Sequence, residues 1–185
     1  MSEQDGFDFG IIQDSLANSM GASIPNRSIG IISGGIGAGK SLICQRLAFG
    51  FVQNGAKVAY VTTELTTRGW LEQVASIGYD MDKRIDEGNF LLISSFGVIA
   101  EEIQEKISLT DILNSPGLLE AEIIIIDRAS QILAHETNAQ LLLSQLSKGF
   151  YCLKKDIGLF FGNRKVPIVC FKYHHFSLDS FSNWT

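Results

Sequence analysis

Residues 28–41 read SIGIISGGIGAGKS, a short apolar β-type run that passes directly into a glycine-rich loop closed by Gly39, Lys40 and Ser41. From Lys40 to Asn54 the apolar residues Leu42, Ile43, Leu47, Phe51 and Val52 recur at helical spacing, and Gly55 follows as a stop signal. Gly34, Gly39, Lys40 and Ser41 satisfy the pattern GxxxxGK[ST], with further glycines at 35 and 37, in the strand–loop–helix context the pattern requires. Each residue type has a physical reason. Glycines permit backbone angles that turn successive N–H groups toward one anion. Lysine adds a mobile positive charge, the serine hydroxyl can ligate Mg²⁺, and the helix beginning here presents its positive end to the same anion. Gly34, Gly35, Ile36, Gly37, Ala38, Gly39, Lys40, Ser41 and Leu42 are therefore the candidate contacts for the phosphates of ATP. The competing reading is a glycine-rich turn that holds a lysine for no chemical purpose.

Working outward, Lys57–Thr63 (KVAYVTT) is rich in β-branched and aromatic residues and predicts the next strand. Thr66 is placed to cap a helix running to about Ile77, with Gly78 ending it. Phe90–Ser94 predicts a third strand, Val98–Leu113 a helix, and Asn138–Leu153 a last amphipathic helix. Ile123–Asp127 (IIIID) is the most β-branched run in the chain, and a continuous apolar strand of this kind suits a parallel sheet covered on both faces. Strand and helix in alternation predict an α/β fold with a doubly wound, mostly parallel sheet.

Two carboxylates stand where chemistry on a bound nucleotide would need them. Asp127 ends the isoleucine run, so it lies at the C-terminal tip of a buried strand, the place of a magnesium-holding aspartate; the alternative is an aspartate that caps the following segment. Glu64 follows the second strand in VTTEL, where a carboxylate can orient or deprotonate an attacking water. It serves equally well as a first-turn helix residue favoured by the dipole. The stretch from Glu64 through Thr67 to Trp70 leads away from this edge and offers an aromatic that a partner surface could use.

Composition excludes several classes. At 185 residues with 45 % hydrophobic content and only three prolines, the chain folds around a core of its own and has scarcely room for two. A net charge of −5 with no Lys/Arg cluster gives no footprint for nucleic acid. Cys44, Cys152 and Cys170 are odd in number and widely spaced, which fits neither a disulfide framework nor a zinc site. His174 and His175 are adjacent and point to opposite faces of any strand. The N-terminus MSEQDGFDFG is acidic and lacks a basic n-region, and no apolar run approaches the roughly 20 residues that span a bilayer. A cytoplasmic protein is expected.

The segment from Asp14 through Leu16, Gly21, Ile24 and Pro25 into GGIGAGKS resembles the entry to the KaiC-like branch of the RecA superfamily. VAYVTTELTTRGWLEQVASIGYDM and EIIIIDRASQIL are similar to the corresponding parts of its FlaH group, the accessory ATPases of the archaeal swimming filament, the archaellum. The resemblance covers roughly residues 14–155. It implies a RecA-like ATP-binding domain that works beneath the membrane platform protein, beside the separate archaellum motor ATPase, and assembles into a homo-oligomeric ring. Within that family the role is a regulatory nucleotide switch with weak or no ATP hydrolysis. Carried onto this chain, residues 34–42 hold the phosphates, Ser41 and Asp127 hold magnesium, and Glu64 takes the catalytic-glutamate position. A KaiC-like ATPase or autokinase and a recombinase-type nucleic-acid-binding ATPase are the alternatives. Arg128 departs from the family, which usually has a small polar residue after the aspartate.

Composition changes abruptly after Asp156. Only Asp179 is acidic beyond that point, of 20 acidic residues in all, while Phe160, Phe161, Phe171, Tyr173, Phe176, Phe181 and Trp184 make the segment strongly aromatic. Residues 1–156 are thus expected to form the ATP-binding domain, and 157–185 an atypical tail such as a shifted reading frame or truncated gene model would produce. The family's later strand with a polar sensor position, short helix and hairpin are not recognisable there, although Val166–Tyr173 retains the composition of a strand.

Overall fold

Small apolar and aromatic residues at the N-terminus form a two-stranded flap. In the computed structural model, which describes residues 6–26, 29–94, 118, 120–127 and 168–173, β1 (Gly6–Asp8) pairs antiparallel with β2 (Ser23–Pro25), and the short helix α1 (Leu16–Met20) lies between them. β3 (Ile29–Ser33) then leads into α2 (Lys40–Gln53) and β4 (Val58–Thr62). Next come α3 (Thr67–Ser76), α4 (Asp82–Asp86), β5 (Phe90–Ser94), β6 (Ile123–Asp127) and β7 (Ile168–Tyr173). The helices expected over 98–113 and 138–153 lie outside the described residues, as does Arg128.

β3 to β7 form one sheet in the order β3-β7-β6-β4-β5, every pairing parallel. The α/β reading therefore holds, and β4 and β6 are buried along their whole length, as strands covered on both faces must be. The order was not legible in the sequence. β7, beyond the composition change at 156, inserts between the P-loop strand β3 and the aspartate strand β6. Val166–Tyr173, whose composition allowed a strand, supplies one: residues 168–173 pair on both sides and join the two strands that carry the site.

The amphipathic expectation for α2 also needs revision. Leu42 is half exposed, whereas everything from Cys44 to Val52 is buried, including Gln45 and Arg46. The sheet covers one face of the helix and the N-terminal flap covers the other. Phe9, fully buried, meets Phe51 edge-on with ring centroids 5.7 Å apart. Arg46 donates from Nη1 to the Phe9 carbonyl at 2.7 Å and grips Asp14 through Nε at 2.5 Å and Nη2 at 2.7 Å. Gly50 lies beneath this junction, where a Cβ would overlap the Phe9 carbonyl.

The flap is thus held by a buried guanidinium whose hydrogen bonds are met by a carboxylate and a carbonyl, as burial of a charge requires. The Arg46 hydrogen bond holds the Asp14 carboxyl below its ordinary pKa. A group whose folded pKa is depressed contributes stability above its unfolded pKa and loses it as pH falls through the folded one. Thermal unfolding should therefore separate the parent from Asp14→Asn at neutral pH. The two curves should begin to approach each other below about pH 4, where the aspartate of the unfolded chain takes up its proton, and meet once the pH has fallen through the lower folded pKa. A difference that stays constant from pH 7 to pH 3 would show that the ion pair does not hold the flap.

Candidate functional site

The C-terminal edge of the sheet gathers the loops after β3, β4 and β6, and ligands of open α/β sheets bind at such an edge. Loop 34–39 is exposed apart from a half-buried Gly39. Gly37 and Gly39 adopt φ of +77° and +75°, left-handed angles that side chains other than glycine adopt only with strain. Gly39 is the N-cap of α2, no side chain caps that helix, and its first turn holds no acidic residue. The first backbone N–H groups of a helix have no partner within it, so this end is presented to an outside acceptor.

Lys40 is only 4 % exposed. Its Nζ folds back over the loop and donates to the Gly34 carbonyl at 2.8 Å and to the Gly35 carbonyl. The ammonium thus already sits inside the loop it would share with phosphate.

Ser41 and Asp127 come together from 86 positions apart, with Ser41 Oγ donating to Asp127 Oδ1 at 3.4 Å. That contact is long for a hydroxyl–carboxylate bond, and it places two oxygen donors side by side as a Mg²⁺ ion would use them. They meet although β7 separates their strands, because α2 starts above the sheet edge. No cluster of three His, Cys, Asp or Glu that could hold a metal occurs among the described residues. A magnesium site takes one or two protein oxygens and fills the rest with water and phosphate, and Ser41 Oγ and Asp127 Oδ1 are two such oxygens. The residues present therefore fit Mg²⁺ with a nucleoside triphosphate.

Asp127 is 1 % exposed and accepts a second bond, from the Tyr60 hydroxyl to Oδ2 at 3.2 Å. Burial first, and then the neighbouring Asp127 charge, raises the Tyr60 pKa well above its ordinary value, so the phenol keeps its proton and remains a donor. The sequence reading missed Tyr60. Its signal is available in retrospect: the register aligns Tyr60 with Ile125 and Thr62 with Asp127, and period-two alternation puts Tyr60 on the same face as Thr62.

Glu64 lies two residues beyond Thr62, the in-register neighbour of Asp127, and is half-buried. Its backbone N–H donates to Thr62 Oγ1 at 3.4 Å. The connection is anchored on both sides: Ser94 Oγ donates to the Leu65 carbonyl at 2.6 Å, and Thr66 Oγ1 caps α3 by accepting from the Gly69 N–H at 3.1 Å. Gln45 of α2 donates to Gln73 of α3 at 2.8 Å, tying the phosphate-loop helix to the helix that follows Glu64.

Trp70 does not offer its ring to solvent as the sequence reading allowed. It is fully buried, packed on Tyr60 with centroids 4.8 Å apart and stacked on Phe90 at 5.3 Å. Trp70 and Val74, one turn apart, form the buried face of α3, and an indole buries more area than almost any other side chain. His174, His175 and Cys152 lie outside the described residues, and Cys44 is buried.

Comparison with known proteins identifies the family. The family model described as "ATPase: KaiC" matches residues 6–159. The archaeal flagellar ATP-binding protein FlaH of Methanocaldococcus jannaschii is 35 % identical over 126 residues, 68 % of this chain and 54 % of that protein. The FlaH of Methanococcus voltae is 29 % identical over 126 residues, 68 % and 55 % of the two chains. The chain therefore spans about half the length of these curated relatives. The crystal structure of flagellar accessory protein FlaH from Methanocaldococcus jannaschii superimposes with a TM-score of 0.72 at 30 % identity, covering 90 % of this chain and 70 % of that one. With the family model matched over most of its length and FlaH as a structural relative, the chain belongs to the KaiC-like ATPases of the RecA superfamily, among the FlaH-type members.

Proposed function

We propose that this chain binds ATP with Mg²⁺ at residues 34–42 and Asp127 and serves as a nucleotide switch in the archaellum motor, with weak or absent hydrolysis. The observation that carries the binding half is the approach of Ser41 Oγ to Asp127 Oδ1, 3.4 Å, beside a lysine already enclosed by its own loop. The names of the FlaH relatives, an archaeal flagellar ATP-binding protein and a flagellar accessory protein, support the setting. In this reading the loop N–H groups and Lys40 hold the phosphates, and Ser41 and Asp127 hold the metal. When bound, the ion would neutralise phosphate charge. Glu64 is placed to orient a water or to sense the γ-phosphate. The chain works in the cytoplasm, as part of a homo-oligomeric ring beside the motor ATPase and the membrane platform protein. Among the described residues no helix is long and apolar enough to cross a membrane, so any membrane contact runs through partners in this reading.

The switch half follows from where differential contacts can form. A ligand shifts an equilibrium only by its unequal affinity for the two states, so some segment must meet the γ-phosphate in one state alone. The stretch from Glu64 into α3 starts at the strand tip next to Asp127 and is linked to α2 through Gln45 and Gln73. ATP, but not ADP, should therefore protect residues 64–77 from amide exchange. ATP should also tighten binding to the motor ATPase by about 1–3 kcal/mol, the usual size of a coupling energy. Equal affinities with ATP and ADP, and unchanged exchange over 64–77, would reduce the protein to a nucleotide-stabilised scaffold.

A further inference from the structure

Asp127 closes a strand of four isoleucines and is almost wholly buried, so its carboxylate cannot rely on bulk water to fix its orientation. One oxygen turns to Ser41 at 3.4 Å and the other accepts from Tyr60 at 3.2 Å. The phenol is itself immobile, since Tyr60 is fully buried and its ring packs on Trp70, which in turn stacks on Phe90. We propose that Tyr60 is a positioning residue for the metal carboxylate, clamping Asp127 Oδ2 so that Oδ1 stays beside Ser41 for Mg²⁺. The proposal rests on the reading of Ser41 and Asp127 as the magnesium donors, and deepens it by naming what orients them.

The physical content is an outer-sphere hydrogen bond. A serine hydroxyl can turn a lone pair to a cation and still donate its proton, but the Ser41 contact is long at 3.4 Å, and the Tyr60 bond at 3.2 Å is the shorter hold on the carboxylate. Removing that bond takes away one of the contacts that orient the carboxylate. Loss of such an outer partner typically costs about 10- to 100-fold in metal affinity. Nucleotide contacts made by the loop and Lys40 do not pass through Tyr60, so affinity for metal-free ATP should not depend on it. The Trp70 and Phe90 packing surface is likewise kept by phenylalanine.

The test is a titration of ATP into the full chain, once in EDTA and once at stepped free Mg²⁺, for the parent and for Tyr60→Phe. The expected result is unchanged ATP affinity in EDTA, with the Mg²⁺ concentration giving half the metal-dependent gain raised about tenfold, the low end of the outer-shell range. Tyr60→4-aminophenylalanine, which restores an N–H donor at the same place, should recover most of the parent's Mg²⁺ dependence. An unaltered Mg²⁺ midpoint in Tyr60→Phe would overturn the proposal. So would an equal loss in EDTA and in Mg²⁺, which marks a purely structural phenol. A parent that binds ATP equally well with and without Mg²⁺ would instead remove the magnesium reading beneath it.

Discussion

Lys40→Ala should weaken binding of ATP in the presence of Mg²⁺ by about 2–4 kcal/mol, roughly 30- to 700-fold. The magnitude follows from what the ammonium touches before and after binding. Without nucleotide it bonds two neutral carbonyls, those of Gly34 and Gly35, at a position shielded from solvent. With phosphate in the loop those partners give way to charged oxygens, and an ammonium–phosphate pair adds a charge–charge attraction that a neutral carbonyl lacks. Alanine removes the stronger pair from the bound state and leaves phosphate charge uncompensated in a site of restricted hydration. The fold should tolerate the change, because the lysine ties only two carbonyls of an otherwise exposed loop. Equal affinity of mutant and parent would show that the glycine loop does not cradle phosphate.

Trp70→Ala should be the most damaging single change to stability, costing about 3–5 kcal/mol in the unfolding free energy. The indole is fully buried between Tyr60 and Phe90, at the place where α3 leans on β4 and β5. Its removal opens a cavity that no flexible neighbour can fill, since Tyr60 is tied to Asp127. For a chain of this size each kcal/mol corresponds to roughly 2–4 °C, so the melting temperature should fall by about 6–20 °C. Circular dichroism melts of Trp70→Ala and Trp70→Phe check it, the phenylalanine variant keeping most of the stack and losing much less. A melting point for Trp70→Ala within 2 °C of the parent's, roughly the shift from under 1 kcal/mol, would mean that the ring stack is not what seats α3.

How much of this was legible in the sequence differs from part to part. The phosphate loop was, because its meaning depends on a local order of residue types, and the strand, loop and helix that carry it are consecutive. β5 and β6 were legible for the same reason: Phe90–Ser94 and Ile123–Asp127 are bounded apolar runs, and both ends fall where the composition put them. Thr66 was readable as a cap because capping is a contact over three residues. Long-range facts were not. Nothing in residues 6–25 announced that Phe9 and Asp14 meet Arg46 on α2, since that docking depends on two elements whose separation along the chain carries no pattern. β7 was readable as a strand from its own residues, IVCFKY, but its place between β3 and β6 was not, since pairing order leaves no mark on a single strand. Trp70 misled because a large aromatic two turns from a candidate switch reads as surface or core with equal ease. Tyr60 was hidden because a tyrosine inside an apolar strand looks like filling until the register shows which carboxylate lies beside it.

The central claim is that residues 34–42 and Asp127 together hold ATP with Mg²⁺, and calorimetric titration of the intact chain tests it most directly. ATP is titrated into the parent in excess Mg²⁺ and in EDTA, and into Lys40→Ala in Mg²⁺. The account predicts saturable one-site binding by the parent that strengthens when Mg²⁺ is present, and a loss of roughly 30-fold or more in the lysine variant. Heats that do not saturate, or curves for parent and variant that coincide in Mg²⁺, would contradict it.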